Sequence, residues 1–339
     1  MFKYYKIFIL FLLVNKSLSY AQDMQFTQFY ASPLYLNPAF TGANVCSRAI
    51  LVYRNQWPNI KTAYKSYLFS MDHFISKQNL GIGLQCAVDE AGSGGLKTTM
   101  INPSFAYETK INKTVAMRFG VQPGVTIKSI HFDRLLFGDQ IYRGGNAGAS
   151  SVNTVENPTQ TRAFFDIGAG ALIYTSKYWI GSSFFHLTRP NESLLSGGTV
   201  STLPIKYSVH GGAKFELNEE ERDPNLKRSI TTVLHYKGQG EFDQFDIGVY
   251  YTQLGINLGL WYRGIPGLKA YKPGYRNDDA IALIAGFQQE RFSFGYSYDI
   301  TISQLHRLTK GSHEITLSYQ FCNPKKKKVT RVLISCPKF

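Results

Sequence analysis

The sequence predicts an all-β fold, a transmembrane antiparallel β-barrel of about fourteen strands that follows a non-strand N-terminal segment. Three observations predict it. From Arg48 onward apolar and polar residues alternate with period two, the pattern of a strand with one apolar face. Strand starts fall near residues 47, 62, 79, 97, 113, 161, 177, 203, 228, 241, 254, 277, 290 and 312, an even number, as closed bacterial barrels have. Connections also segregate by length. With the N-terminus in the periplasm, those after even-numbered strands are periplasmic, and "ISKQN", "TKIN", "SK" and "QE" are turn-sized. Those after odd-numbered strands include the long stretches 139–160, 188–198 and 264–277, as the external loops of outer-membrane barrels do. A soluble β-sandwich also alternates, but it has no reason to sort its connections this way.

The first element is a leader. Lys3 and Lys6 precede the apolar run 7–14, and Ser19, Tyr20 and Ala21 follow it, which are the basic, apolar and small-residue parts of a secretory signal peptide. Residues 1–21 are therefore expected to be removed, with cleavage near Ala21. A membrane-spanning helix needs about 20 apolar residues, and neither this run nor the later "AIALIAGF" (280–287) is that long. The mature chain works beyond the inner membrane.

The second element is the segment 22–45. Its core, "QFTQFYASPLYLNPAFTGA" (25–43), has five aromatic residues, two prolines and no charge. Pro33 and Pro38 remove backbone donors and prevent regular strand pairing. Yet Phe26, Phe29, Tyr30, Leu34, Tyr35, Leu36 and Phe40 need burial. It is expected to act as a plug or docking segment in the periplasmic mouth of the barrel. Phe26, Phe29, Tyr30, Tyr35, Asn37, Pro38 and Phe40 are its candidate partner-binding residues.

The barrel proper is placed at 46–321. In "RFSFGYSYD" Phe292, Phe294, Tyr296 and Tyr298 share one face, and Ser293, Gly295, Ser297 and Asp299 the other. "HEITLSYQF" and "LGINLGLWYR" repeat the pattern, and Cys86 falls on the apolar face with Leu80, Ile82, Leu84 and Val88. The glycines of "GIGLQ" and "GAGAL" read as small lumen-side positions or strand bends. The charged connection 217–228 breaks the length rule, being long where a periplasmic turn is expected; it is a solvated hairpin or a docking loop.

The last element is the tail 322–339, basic and expected in the periplasm. The formal net charge of +14 falls by the three leader lysines to +11, and six of those charges lie in the tail, which leaves about +5 on the body. High pI suggests nucleic acid, but the leader opposes that, and no aromatics interleave with the basic cluster as stacking platforms. Four cysteines allow three full pairings, of which Cys322 with Cys336 is the favoured one.

Chemistry finds nothing to stand on. No GxSxG, HExxH, Walker-type or complete GxGxxG pattern occurs, the seven histidines are scattered, and Asp89 and Glu90 read as part of a solvated turn. No catalytic, cofactor or metal residues are assigned, so the expected function is not enzymatic. A passive porin remains the alternative, with Arg54, Arg263, Asp299 and Glu314 lining an aqueous lumen.

Residues 22–43, "QDMQFTQFYASPLYLNPAFTGA", resemble the mature N-terminal signature of the PorP/SprF family of type IX secretion system membrane proteins of Bacteroidetes. The matching positions are Gln22, Asp23, Phe26, Phe29, Tyr30, Asn37, Pro38, Ala39, Phe40 and Gly42. "YRNQW", "DEAGSGG", "FAYETKI", "HLTRPN", "LWYRG", "GYSYDITISQL" and "GSHEITLSYQF" resemble later family blocks in the same order. The resemblance implies an outer-membrane β-barrel of the type IX secretion and gliding apparatus. It further implies a dedicated escort for one secreted, adhesin-like surface protein carrying a type IX C-terminal signal, with periplasmic secretion or gliding components as the other partners. The tail departs from the pattern, since many members end near the aromatic at Phe321.

Overall fold

A computed structural model describes residues 23–60, 62–92, 95–131, 135, 161–194, 200–218, 227–265, 278–303, 306–322 and 334. The expected cleavage site, the loop 139–160, the centre of the charged connection 217–228 and all of the tail beyond Cys322 except Ile334 lie outside these residues. Fourteen strands follow one another: β1 (Arg48–Gln56), β2 (Tyr64–Ile75), β3 (Leu80–Ala91), β4 (Leu96–Lys110), β5 (Ala116–Ser129), β6 (Thr161–Tyr174), β7 (Tyr178–Phe185), β8 (Lys206–Glu216), β9 (Ser229–Gln239), β10 (Phe242–Gln253), β11 (Ile256–Gly264), β12 (Asp278–Gln289), β13 (Phe292–Thr301) and β14 (Ser312–Gln320). Each pairs antiparallel with its sequence neighbours, and β1 closes on β14 from Arg48↔Gln320 to Gln56↔Ser312. A closed ring leaves no strand edge unpaired, which hydrocarbon requires.

Period-two alternation sorts the side chains as the sequence predicts. Leu51, Phe69, Leu84, Phe119, Leu258, Leu260 and Leu317 are exposed on the outside, a continuous apolar face that water would not tolerate and lipid solvates. Ser70, Gln85, Arg118, Ser183, Ser297 and Thr316 are buried on the inside. Cys86 belongs to the outer face, as expected. Asp89 is a correction: it lies within β3, where Ser66 Oγ donates to its Oδ1 at 2.5 Å, and is not in a solvated turn.

The two ends differ. At one, here the turn end, strands are joined by connections such as 76–79, 111–115, 175–177, 254–255 and 290–291; at the other, the loop end, 186–205 and 265–277 are long. The connections 92–95 and 240–241 are short exceptions there. Ring pairs mark both ends: Phe292 with Tyr319 at 4.8 Å near the turn end, and Trp57 with Tyr64 at 5.8 Å near the loop end, as the aromatic girdles of membrane barrels do.

The expected cysteine pairing is corrected. Cys322 is bonded to Cys46, not to Cys336, with Cα atoms 5.5 Å apart. Barrel closure causes this, because β1 and β14 are neighbours, so the residues just outside them meet.

Candidate functional site

The lumen is occupied by the chain's own N-terminal segment. It contains little regular structure: single 3-10 turns at Phe29–Ala31 and Pro38–Phe40, and the short helix α1 (Pro33–Leu36), with Pro33 and Pro38 opening their turns, where a missing N–H costs least. Its backbone groups must therefore find partners on the wall. At the turn end the Gly42 N–H donates to Asp72 Oδ2 at 2.9 Å, beside the disulfide. At the opposite end Asp23 meets Lys206 and Gln239, which terminate β8 and β9 at the loop end. The segment thus runs the full length of the lumen, whereas the sequence reading places it only in the periplasmic mouth. The reason is that every level of the inner wall carries a polar group matched to it.

Asp23 is the upper tie. Its carboxylate lies 2.9 Å from His186 Nε2 and 2.6 Å from Lys206 Nζ, and accepts from Gln239 Nε2 at 3.2 Å. His186 Nδ1 in turn faces Asp166 at 2.6 Å. Burial alone would raise the Asp23 pKa, but His186 and Lys206 hold it well below the usual carboxylate range. Burial alone would discharge His186, but the Asp23 and Asp166 carboxylates push its pKa up to about 9.

One level down lies a charge cluster. Arg54 pairs with Asp299 at 2.9 Å and Glu314 at 3.1 Å, and Arg263 with Asp299 at 3.2 Å and Asp246 at 3.0 Å. These include the four residues that an aqueous pore would use, and they are brought together around Thr27. The Thr27 hydroxyl accepts from Arg54 at 2.7 Å and Arg263 at 3.1 Å and donates to Asp299 at 2.7 Å. The N–H groups of Thr27 and Gln28 donate to Glu314 at 2.7 and 2.8 Å. The segment therefore supplies donors that two guanidinium groups alone do not supply to three carboxylates.

The middle level is aromatic. Phe29 lies 4.7 Å from Trp261 and 4.5 Å from His235, Phe40 stacks on His210 at 5.4 Å, and Trp179 Nε1 donates to the Tyr30 hydroxyl at 2.9 Å. Ile334, from the tail, is buried in the same cluster. Nearer the turn end, Asn37 caps the turn Pro38–Phe40 by accepting from Ala39 N at 2.9 Å, and donates to the carbonyls of Ala171 and Ser182 at 3.0 Å each. Arg118, fully buried, donates to the carbonyls of Ala39 and Thr41 and pairs with Glu108. Close approach requires glycine on the wall: a Cβ at Gly120 would meet Ala39 N and Pro38 C, and one at Gly170 would meet Asn37 Oδ1.

All seven residues singled out from the sequence lie in this segment. Phe26, Phe29, Tyr30, Asn37, Pro38 and Phe40 are buried, and Tyr35 is partly so, its hydroxyl donating to Met24 O at 2.5 Å. Sequence reading missed the polar ties Asp23, Thr27 and Gln28, and Arg118 on the wall. Arg118 had a signal: a charge on the inner face of "AMRFGVQPG" demands a partner inside the barrel. Among the described residues no group of three or more His, Cys, Asp or Glu side chains is arranged to hold a metal ion.

A family model described as type IX secretion system membrane protein PorP/SprF matches residues 18–319. No curated protein matches the chain. Among solved structures, the toluene transporter TodX of P. putida shares 10% identity over 84% of this chain and 92% of its own, with a TM-score of 0.44. A Pseudomonas aeruginosa FadL homologue shares 12% identity over 91% and 96%, with a TM-score of 0.43. BamA of Haemophilus ducreyi lacking POTRA domains 1–3 shares 9% over 81% and 70%, with a TM-score of 0.38.

Proposed function

The chain belongs to the PorP/SprF family of type IX secretion system membrane proteins, an outer-membrane β-barrel, and from that premise we propose that it is a closed scaffold. It helps to secrete or anchor one cognate, adhesin-like surface protein through protein contacts. The observation that carries this reading is the filled lumen. A passive pore needs a continuous aqueous path, and here the residues that would line it spend their hydrogen-bonding capacity on Thr27, Gln28, Ala39 and Thr41. With transport through the centre blocked, what remains is recognition at the two ends.

Long loops of outer-membrane barrels face the cell exterior and short turns the periplasm. The loop end then meets the exported protein and its type IX C-terminal signal. The turn end, with the base of the N-terminal segment and the tail, meets periplasmic secretion or gliding components. Tyr30, Asn37, Pro38 and Phe40 contact a partner only if the segment leaves the lumen, and otherwise act by holding it shut, whereas Phe26, Phe29 and Tyr35 also line a cavity at the loop end.

A mild-detergent pull-down of a tagged copy from native outer membranes tests this, with co-purifying proteins identified by mass. Recovery of one large secreted protein or of periplasmic ring components is expected. A barrel recovered alone, under conditions that keep other envelope complexes together, overturns it.

A further inference from the structure

At the loop end a cavity of about 110 Å³ lies between the N-terminal segment and β8, β9 and β10. Phe26, Phe29, Phe185 and Phe242 form its apolar side, and Lys206 and Lys237 its cationic side; two carboxylates also line it, Asp23, which Lys206 and His186 hold, and Asp243, which accepts from the Tyr236 hydroxyl at 3.2 Å. The two lysines differ in what they hold. Lys206 is paired with Asp23 at 2.6 Å and lies 4.4 Å over the Tyr35 ring. Lys237 lines the same cavity, but its ammonium makes no hydrogen bond or ion pair among the described residues. Register sets it between Ser208 on β8 and Gln244 on β10. The carboxylate next along that inner row, Asp246, is already taken by Arg263 at 3.0 Å, by His235 at 3.4 Å and by the Gln244 amide at 2.8 Å.

A partly buried ammonium that no carboxylate touches directly has given up water for only the more distant attraction of Asp246 and Asp23. We infer that this cavity is a binding site for a monocarboxylate with an apolar body, whose carboxylate pairs with Lys237 while the phenylalanine rings cover its carbons. Phosphate would call for several convergent donors, and with Lys206 already paired to Asp23 Lys237 is the one ammonium left for a ligand. A cavity of about 150 Å³ holds benzene, so this one encloses a few carbon atoms beside the charge. The size fits a short-chain acid or the last residue of a chain with a free C-terminus. Access is from the loop end, where the turn 240–241 leaves the rim low beside Gln239 and Phe242. The site is independent of the secretion reading, because it is assayed with no exported partner present.

The test uses the folded full-length protein in detergent near neutral pH, titrated calorimetrically with butyrate, with butyramide, and with a short apolar peptide bearing either a free or an amidated C-terminus. The free acids are expected to bind and the two amides not. Lys237→Met should weaken binding by about tenfold or more, and Lys237→Arg by no more than about threefold, with both variants keeping the folded band in unheated gels. Butyrate binding assigns the site to free acids; binding of the free-terminus peptide without butyrate assigns it to a chain end. Binding of neither, equal binding of butyrate and butyramide, or unchanged binding by Lys237→Met overturns the inference. Should Lys237→Met not fold, the acid-against-amide comparison on the natural protein still decides.

Discussion

Thr27 joins the N-terminal segment to the barrel more tightly than any of its aromatic neighbours, because its hydroxyl satisfies two guanidinium groups and one carboxylate at once. Thr27→Val keeps the shape and strands those groups. Leaving buried donors unpaired costs about 1–3 kcal/mol. Arg54→Met is worse, since it leaves Asp299 and Glu314 short of a cation, and breaking a buried pair costs about 3–5 kcal/mol. Urea titration of the folded band should show both losses in that order, and equal stability of Arg54→Met and the natural protein would refute the cluster's role. The Asp23 tie responds to pH. His186 gains carboxylate partners on folding, so its contribution is complete below its ordinary pKa of about 6.5 and is lost as pH rises through about 9. Asp23 behaves oppositely: its contribution stands above the ordinary carboxylate range and is lost only when pH falls well below it. A spin label at Gln25→Cys should therefore stay immobile at neutral pH and loosen between pH 8 and pH 10. His186→Gln should loosen it at pH 7 already. A label equally immobile at pH 7 and pH 10 would sink the tie.

Two elements, the N-terminal segment and the strand seam, were read from the sequence with unequal success. Each strand start falls within three residues of its expected place, because a side chain's inward or outward direction is a local property that period two writes directly into the sequence. The segment's lack of strand structure was equally legible from Pro33 and Pro38. Its path was not, since Thr27 finds Asp299 and Glu314 more than 270 positions away, and nothing local encodes that meeting. The disulfide failed to show for the same reason, joining residues separated by 276 positions. Cys322→Ser should lower stability by about 2–4 kcal/mol and abolish the mobility difference between reduced and oxidised gels. Cys336→Ser should leave that difference in place; its loss would return the pairing to Cys322 with Cys336. Gly120 tests the fit between segment and wall. A Cβ there meets backbone, not the end of a flexible side chain, so in Gly120→Val the turn Pro38–Phe40 must move.

For the whole molecule, the wall and its contents answer to different forces. Strand ladders and the lipid-facing side chains do not involve the segment, so a barrel lacking residues 23–41 keeps its ring of backbone hydrogen bonds and its solvation by lipid. What it loses is the set of partners for Arg54, Arg118, Arg263, Asp299 and Glu314, and water can replace those partners because the emptied lumen is polar. The deletion should therefore insert, fold with reduced stability, and conduct. In planar bilayers the natural protein is expected to be silent, the deletion to give steady channels, and Gly120→Val to give intermittent ones as the displaced turn opens and closes the path. Steady conductance by the natural protein would make the segment a lining, not a seal, and would restore the porin reading. A folded deletion that stays silent would mean that something other than residues 23–41 closes the barrel, and Ile334, buried among the same aromatics, marks the tail as the next segment to remove.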